Sequence, residues 1–399
     1  MFALFLVLTL IFSKYECILC FTLSAYISQS GLHGEIHFIQ KDSQVIELKT
    51  DLVPTLEYPE QIVTWSIHEF PVDYSKIENR CDEKHLGKKI LDLENLLGYL
   101  TIPENSTASW DLPVKLTGDN GIWGRSILLK NVDNNMLSCA TISSKDKTIE
   151  RTAEARFHYP ISGSIYFRWI AATKSNHVDM LIYTDLYHTR PTSGKYGRQF
   201  TEHNWKIYVT DIFDSKADNN EENCNALQLV YDPEDKGQGK GIGDVDQRVG
   251  KAHVAVDVTK ISQKATFRDF ELSALSSAIV GEQRKLYVVI FDDQHGDSFL
   301  SCSKIRLVDH IVTGAVLRNR EIVMTQYWKY EPTLINFTSI NSMLDFDLNY
   351  NIYDLPPHPK MIGTSEYCST TGSLYDPLHK KSNNIIPPPG YGTQEQYPI

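Results

Sequence analysis

TWSIHEFP, residues 64–71, reads as a β-strand that has room on one face for two metal-binding imidazoles and carries one, His68. Side chains two residues apart on a strand share a face, so Ser66 and His68 point the same way. The identity of this strand, and the role of its single histidine, decide how the rest of the chain is read.

TWSIHEFP has counterparts in NWKIYVTDIF (204–213) and NYNIYDLPP (349–357). The cysteines mark the same period: Cys81 to Cys224 is 143 residues and Cys224 to Cys368 is 144, an interval that also links LVYDP (229–233) to SLYDP (373–377). A period this long is a whole domain with its own core and not a solenoid unit, so the chain is expected to be a string of separate beads. Each bead opens on a short strand, GEIHFIQ (34–40), GSIYFRWI (163–170) or GAVL (314–317), whose glycine suits a turn with positive φ. Two of them close on an alternating run with a cysteine, GRSILLK to LSCATI (124–142) and KLYVVIF to LSCSKI (285–305). Short alternating runs separated by Gly, Pro, Asn and Asp, with few helical periods, predict antiparallel all-β units. The third unit has its opening strands but no closing strand or second cysteine, so the sequence reads as cut short there. Residues from about 311 onward are expected to pack poorly unless they pair with something else.

The 399 residues are 42% hydrophobic and 22% charged, enough for two or three cores. A net charge of -11 and a pI near 5.6, with no long basic run, argue against nucleic acid or anionic membrane as a main partner. FALFLVLTLIF (2–12) is too short to span a bilayer and suits a signal-peptide core, with cleavage between about residues 17 and 25; a retained membrane anchor is the alternative. No transmembrane helix is expected beyond that segment. Cys17 and Cys20 fall in or beside the signal, which leaves Cys81, Cys139, Cys224, Cys302 and Cys368: two pairs and one odd thiol, suited to an oxidising compartment. No CxxC pair with a partner in range suggests structural zinc. Asn105 and Asn336 head Asn-x-Thr glycosylation acceptors.

WSIHEF followed by Cys81, then GRSILL and LSCATI, together with YDP and GIGDVDQRVGKA in the second unit, resembles the copper/zinc superoxide dismutase family, in particular the secreted copper-only repeat proteins of animals. The resemblance implies tandem eight-stranded Greek-key β-barrels or sandwiches: a signal over 1–22, domains over 23–145 and 151–308, and a partial domain over 311–399. It also implies disulfides joining Cys81 to Cys139 and Cys224 to Cys302, each tying a loop to the last strand. A loop of that length would stabilise by roughly a few kcal/mol in the chain-entropy model.

The same resemblance gives four copper-binding imidazoles per active unit, and most are replaced. At the paired positions stand Ser66 and His68, Lys206 and Tyr208, and Asn351 and Tyr353. The third position reads Val230 and Leu374, with only His85 nearby in the first unit; the fourth reads Lys130 and Ile290. An arginine that would draw in the anion is replaced by Met136 and Phe299. One imidazole does not define a redox copper site, so His68 is expected to be a structural remnant, hydrogen-bonded to backbone or loop, with a vestigial metal contact as the alternative.

Other motifs yield blander readings. GQGKGIG (237–243) lacks the following helix of a phosphate cradle and reads as a loop before a β pattern. His33 and His37 lie in an alternating stretch and read as a surface hairpin; Asp292, Asp293 and His295 read as a solvated turn. No nucleophile elbow or catalytic cysteine context occurs. The expectation is a secreted, non-catalytic binding or structural module with an extracellular protein partner that the sequence does not name, and with no cofactor, or copper if any. The alternatives are an active extracellular copper superoxide dismutase, with ligands drawn from His85, His203 or His253, and a copper binder without turnover. Longer forms could sit at the cell surface.

Overall fold

The computed structural model describes residues 22–339, except 42–43, 55–58, 75–78, 104–107, 119, 134, 147–149, 171–179, 191–198, 211–226, 228, 259–264, 270–271, 273–284, 293–297 and 318–319. The signal segment, Cys17, Cys20, Cys224, Asn105, Asp293, His295, Asn351, Tyr353, Cys368 and Leu374 lie outside the described residues.

The chain is built almost entirely of strands. In the first part these are β1 (Thr22–Gln29), β2 (Leu32–Gln40), β3 (Ile46–Pro54), β4 (Gln61–His68), β5 (Lys89–Asp92), β6 (Leu100–Ile102), β7 (Ser109–Leu112), β8 (Ser126–Asn131), β9 (Leu137–Thr141) and β10 (Ser143–Ser144). They form two sheets, ordered β10-β1-β2-β3-β7 and β5-β4-β8-β9, with β6 also on β4. Inward residues of both sheets, among them Ile27, Phe38, Leu48, Trp65, Ile127 and Leu129, share one core, so the sheets face each other as a sandwich. The alternation that makes this possible is plain in β1, where Leu23, Ala25 and Ile27 are buried and the residues between them are not.

The second part follows with β11 (Glu150–Phe157), β12 (Ile161–Ile170), β13 (Met180–His188), β14 (Phe200–His203), β15 (Trp205–Thr210), β16 (Leu229–Val230), β17 (Ala252–Ala255), β18 (Ala265–Asp269), β19 (Lys285–Phe291) and β20 (Phe299–Leu307). They run as one sheet, β14-β17-β13-β12-β11-β20-β19-β15-β16, with β18 on β13. That sheet bends over its own core, since Phe167 and Ile182 from one end pack with Trp205, Val288 and Ile290 from the other. A last meander, β21 (Ile311–Leu317), β22 (Arg320–Gln326) and β23 (Leu334–Ser339), stands as a three-stranded sheet.

Strands β8 and β19, expected to alternate, instead bury consecutive residues, Ser126–Leu129 and Leu286–Phe291, because both their faces are covered there. The inner face meets the sandwich core. The outer face lies under a loop: Leu128 packs with Val72, Tyr74, Leu86 and the cysteines 81 and 139, while Val289 packs with Tyr208, Leu227 and Cys302. The structure joins Cys81 to Cys139, which ties the first of these loops to β9. Cys302 is also disulfide-bonded.

Three sequence expectations change. Gly34, Gly163 and Gly314 do not sit in turns; they lie inside β2, β12 and β21. At Gly34 a Cβ would come within 1.9 Å of the Asp51 carbonyl oxygen, and at Gly163 within 1.8 Å of the Asp185 oxygen, so the close approach of the neighbouring strand requires glycine. GKAHVAVDV is preceded by a helical turn, Val245–Val249, where an uninterrupted β pattern was expected; Gly250 at φ 86° ends it.

The third change concerns the beads. The first core does not stop at residue 144. It continues through Tyr166, Ile170, Leu181 and Tyr183 of β12 and β13 into Trp328 and Tyr330 in the turn between β22 and β23. Gly124, at φ 73°, receives this neighbour, because a Cβ there would meet Leu181 Cδ1 at 2.2 Å. Tyr330 is fully buried, and its carbonyl accepts from Thr141 Oγ1. Arg168, itself buried, donates to both Glu150 and Glu331 and lies over the Trp328 ring, 4.7 Å from its centre. Glu150 also accepts from Trp123 Nε1 and from the Ser144 backbone N–H, both at 2.8 Å. Among the described residues beyond 311, the turn Trp328–Glu331 is therefore sewn into the seam of the first two parts, while Ile311, Val312 and Val316 stand exposed.

Candidate functional site

Strand β4 places Thr64, Ser66 and His68 on one face, and its antiparallel pairing with β8 sets Lys130 across from Thr64 and Ser126 across from His68. Of the positions expected to hold copper, Ser66 and His68 therefore lie side by side, while Lys130 stands one strand over and across from Thr64. Their side chains are otherwise engaged. His68 is 0% exposed; its Nδ1 lies 3.0 Å from the Gly87 carbonyl oxygen and its Nε2 3.0 Å from Ser66 Oγ. A carbonyl only accepts, so Nδ1 carries the hydrogen and donates it. In the neutral ring Nε2 then accepts from the serine hydroxyl. Lys130 is exposed, and its charge stands in solvent. His85 lies on the helical turn Glu83–Leu86 and Met136 in the turn between β8 and β9, neither of them hydrogen-bonded to the His68 ring.

In the second part the paired positions hold an ion pair and a ring. Lys206 Nζ lies 2.7 Å from Asp244 Oδ1, and the other oxygen of that buried carboxylate accepts from the Gly241 N–H at 3.0 Å. Burial pulls the Lys206 ammonium down but Asp244 outweighs it, so its pKa lies above the ordinary value. The GQGKGIG loop therefore serves as the frame of a salt bridge. Tyr208 packs against Phe299 and Phe291, with ring centres 5.5 and 6.5 Å away, and Ile290 is fully buried in the core. Val230 pairs with Tyr208. These residues do not fit a copper ion: one side offers a single imidazole, the other a cation. Among the described residues no group of three or more His, Cys, Asp or Glu side chains is placed to hold a metal.

Elsewhere Asn336 is exposed on β23, His33 and His37 lie on β2 in the β1–β2 hairpin, and Asp292 donates its N–H to Ser298 O at 2.9 Å.

Sequence reasoning missed one polar cluster. Thr201 and His203, two apart on β14, repeat the Ser66–His68 arrangement: Thr201 Oγ1 is 2.8 Å from His203 Nε2, and His203 Nδ1 is 2.9 Å from the Phe291 carbonyl oxygen. Here a second imidazole joins, for His188 Nε2 at the end of β13 is 2.7 Å from the same hydroxyl. The shared hydroxyl-x-His spacing was the available signal; that His188 arrives from a different strand was not legible. Burial, and then the neighbouring His203, push His188 down to about 4. A histidine whose pKa is depressed on folding stabilises the fold above its unfolded pKa and loses that contribution as pH falls toward its folded pKa. We expect stability to decline between about pH 6.5 and 4, and the decline to be shallower in His188→Gln, read as urea midpoints across that range with chelator present. Parallel profiles would refute this.

No protein-family model matches the chain, and no curated protein matches it. Among solved structures, superoxide dismutase 5 of Candida albicans in its Cu(II) form is 20% identical, covering 32% of this chain and 94% of that one, with a TM-score of 0.25. A point mutant of the same enzyme is 21% identical over 32% and 93%, also at 0.25. The clock protein EA4 is 18% identical over 31% and 95%, at 0.24.

Proposed function

We propose that this chain is an extracellular, non-catalytic member of the superoxide dismutase-like repeat proteins, working as a binding or structural module. Its domains would run over 23–145, 151–308 and 311–399 behind a signal over 1–22, with Cys224 as the partner of Cys302 and with glycans on Asn105 and Asn336. The observation that carries this reading is the occupancy of the ligand positions by other chemistry: both His68 nitrogens are hydrogen-bonded, and Lys206 is paired with Asp244. One parallel between the two parts favours the repeat. Trp65 and Trp205 each donate Nε1 to a glycine carbonyl, of Gly98 and Gly250, at 2.9 Å. Oxidised cysteines suit an oxidising compartment, and among the described residues no helix is long and apolar enough to cross a membrane.

The test is superoxide dismutation by the full chain after incubation with copper, beside His68→Gln. We expect neither protein to exceed the rate of the copper left in solution. The substitution should instead cost about 1–3 kcal/mol of stability, because Gly87 and Ser66 lose a buried partner. Dismutation proportional to protein-bound copper, and abolished in His68→Gln, would overturn the proposal.

A further inference from the structure

From the convergence of two imidazoles on one hydroxyl, we infer that His188 and His203 form a binding site for a late first-row divalent metal ion, separate from the ligand positions of β4 and β15. The inference is independent of the proposed function, since a two-histidine site on β13 and β14 requires neither copper chemistry nor its loss.

His188 Nε2 and His203 Nε2 both point at Thr201 Oγ1, at 2.7 and 2.8 Å, and their ring centres are 5.7 Å apart with planes at 61°. A metal–nitrogen bond of about 2.0–2.1 Å, plus about 1.1 Å from nitrogen to ring centre, would set two imidazoles on a tetrahedral ion a little over 5 Å apart. The observed separation is within about half an ångström of that, reachable by side-chain rotation in a half-buried residue such as His188. An isolated structural histidine needs no such neighbour, and among the described residues the His68 ring pairs with Ser66 and Gly87 alone.

His203 is also held as metal-binding histidines usually are. Its Nδ1 hydrogen is donated to the Phe291 carbonyl, which fixes the ring and leaves the Nε2 lone pair facing the cluster. The hydrogen of Thr201 then goes to His203 Nε2, and the threonine oxygen accepts from His188 Nε2–H. For an ion to bind, His188 shifts its hydrogen from Nε2 to Nδ1 through solvent, with no net change of charge on the ring. Thr201 turns its hydroxyl toward Val254 O, already 3.3 Å away. Water completes the coordination. Neutral imidazoles without a thiolate or carboxylate select zinc or copper over calcium or magnesium. The nearest carboxylate of β14, Glu202, points to the opposite face and meets His253 at 3.5 Å.

The experiment titrates the full chain, stripped with chelator, with Zn²⁺ alone, followed by calorimetry and by the thermal midpoint, because an ion that binds only the folded state raises the midpoint. His188→Gln should weaken zinc binding by about tenfold or more and remove most of the midpoint shift, as loss of one of two protein ligands requires. Thr201→Val, nearly isosteric, removes the bridging hydroxyl and spares both imidazoles, so it should keep zinc affinity within about threefold. His253→Gln and His37→Gln should behave as the unmodified chain. Equal zinc affinity in His188→Gln and the unmodified chain would overturn the inference, as would no zinc response up to millimolar ion or loss of binding in Thr201→Val as complete as in His188→Gln. None of these readouts depends on dismutation, so the inference can fail while the proposed function stands, and the reverse.

Discussion

Replacing Arg168 by Met should lower stability by about 3–5 kcal/mol and split unfolding into separate steps, because the two carboxylates it serves stay buried when it leaves. Arg168, Glu150 and Glu331 have side chains 5%, 3% and 2% exposed. Burial alone would lower the guanidinium pKa, but Glu150 and then Glu331 outweigh it and hold Arg168 firmly charged. Methionine fills similar space without donors, so it also abolishes the contact over Trp328. The three residues come from β11, β12 and the turn after β22, and the core around them is shared by all three parts of the chain. Intact, that shared core should make the parts unfold together; without Arg168 the last sheet should detach first. Urea unfolding followed by tryptophan fluorescence, compared with Trp328→Phe so that the contribution of that ring is isolated from the other five tryptophans, reads this. A change below about 1 kcal/mol, with a single transition retained, would mean that water reaches the network.

Removing the Cys81–Cys139 disulfide, by Ser at both positions, should cost about 4 kcal/mol, the chain-entropy value for a cross-link of 58-residue separation. The loss should fall on the loop over β8, where Val72, Tyr74 and Leu86 form one apolar cluster with Leu128 and the disulfide cysteines, and Leu137 lies at its margin. Limited proteolysis should then cut between residues 69 and 88 before elsewhere. An unchanged denaturation midpoint would show that the apolar cluster holds the loop without the covalent tie.

The strands were readable from the sequence because their signal is local. In GEIHFIQ, Ile36 and Phe38 are buried beside partly exposed Glu35 and His37, and a period of two needs no knowledge of the partner strand. β8 and β19 were readable as strands, but they were read as alternating; that both faces are buried over Ser126–Leu129 and Leu286–Phe291 was not legible, since the second cover comes from other segments of the chain. Gly34 and Gly163 were misplaced into turns for the same reason: glycine marks a special backbone need, and only the neighbouring Asp51 and Asp185 carbonyls show that the need is close approach.

For the candidate site, the order of residues was enough to say which ligand types are present: with Ser66, Lys206, Tyr208 and Ile290 at these positions, four imidazoles cannot assemble there. It was enough for the all-β class as well, through periodicity and turn residues. Where each polar group spends its hydrogen bonds was settled only by the folded arrangement. That His68 is closed by Gly87 and Ser66, that Lys206 meets Asp244, and that His188 meets His203 through Thr201 depend on contacts between segments many residues apart. The seam of Arg168, Trp328 and Glu331 belongs to the same class: the linear pattern YWKYEP specifies aromatic and charged side chains, but their burial energy arises only when three distant segments exclude water together.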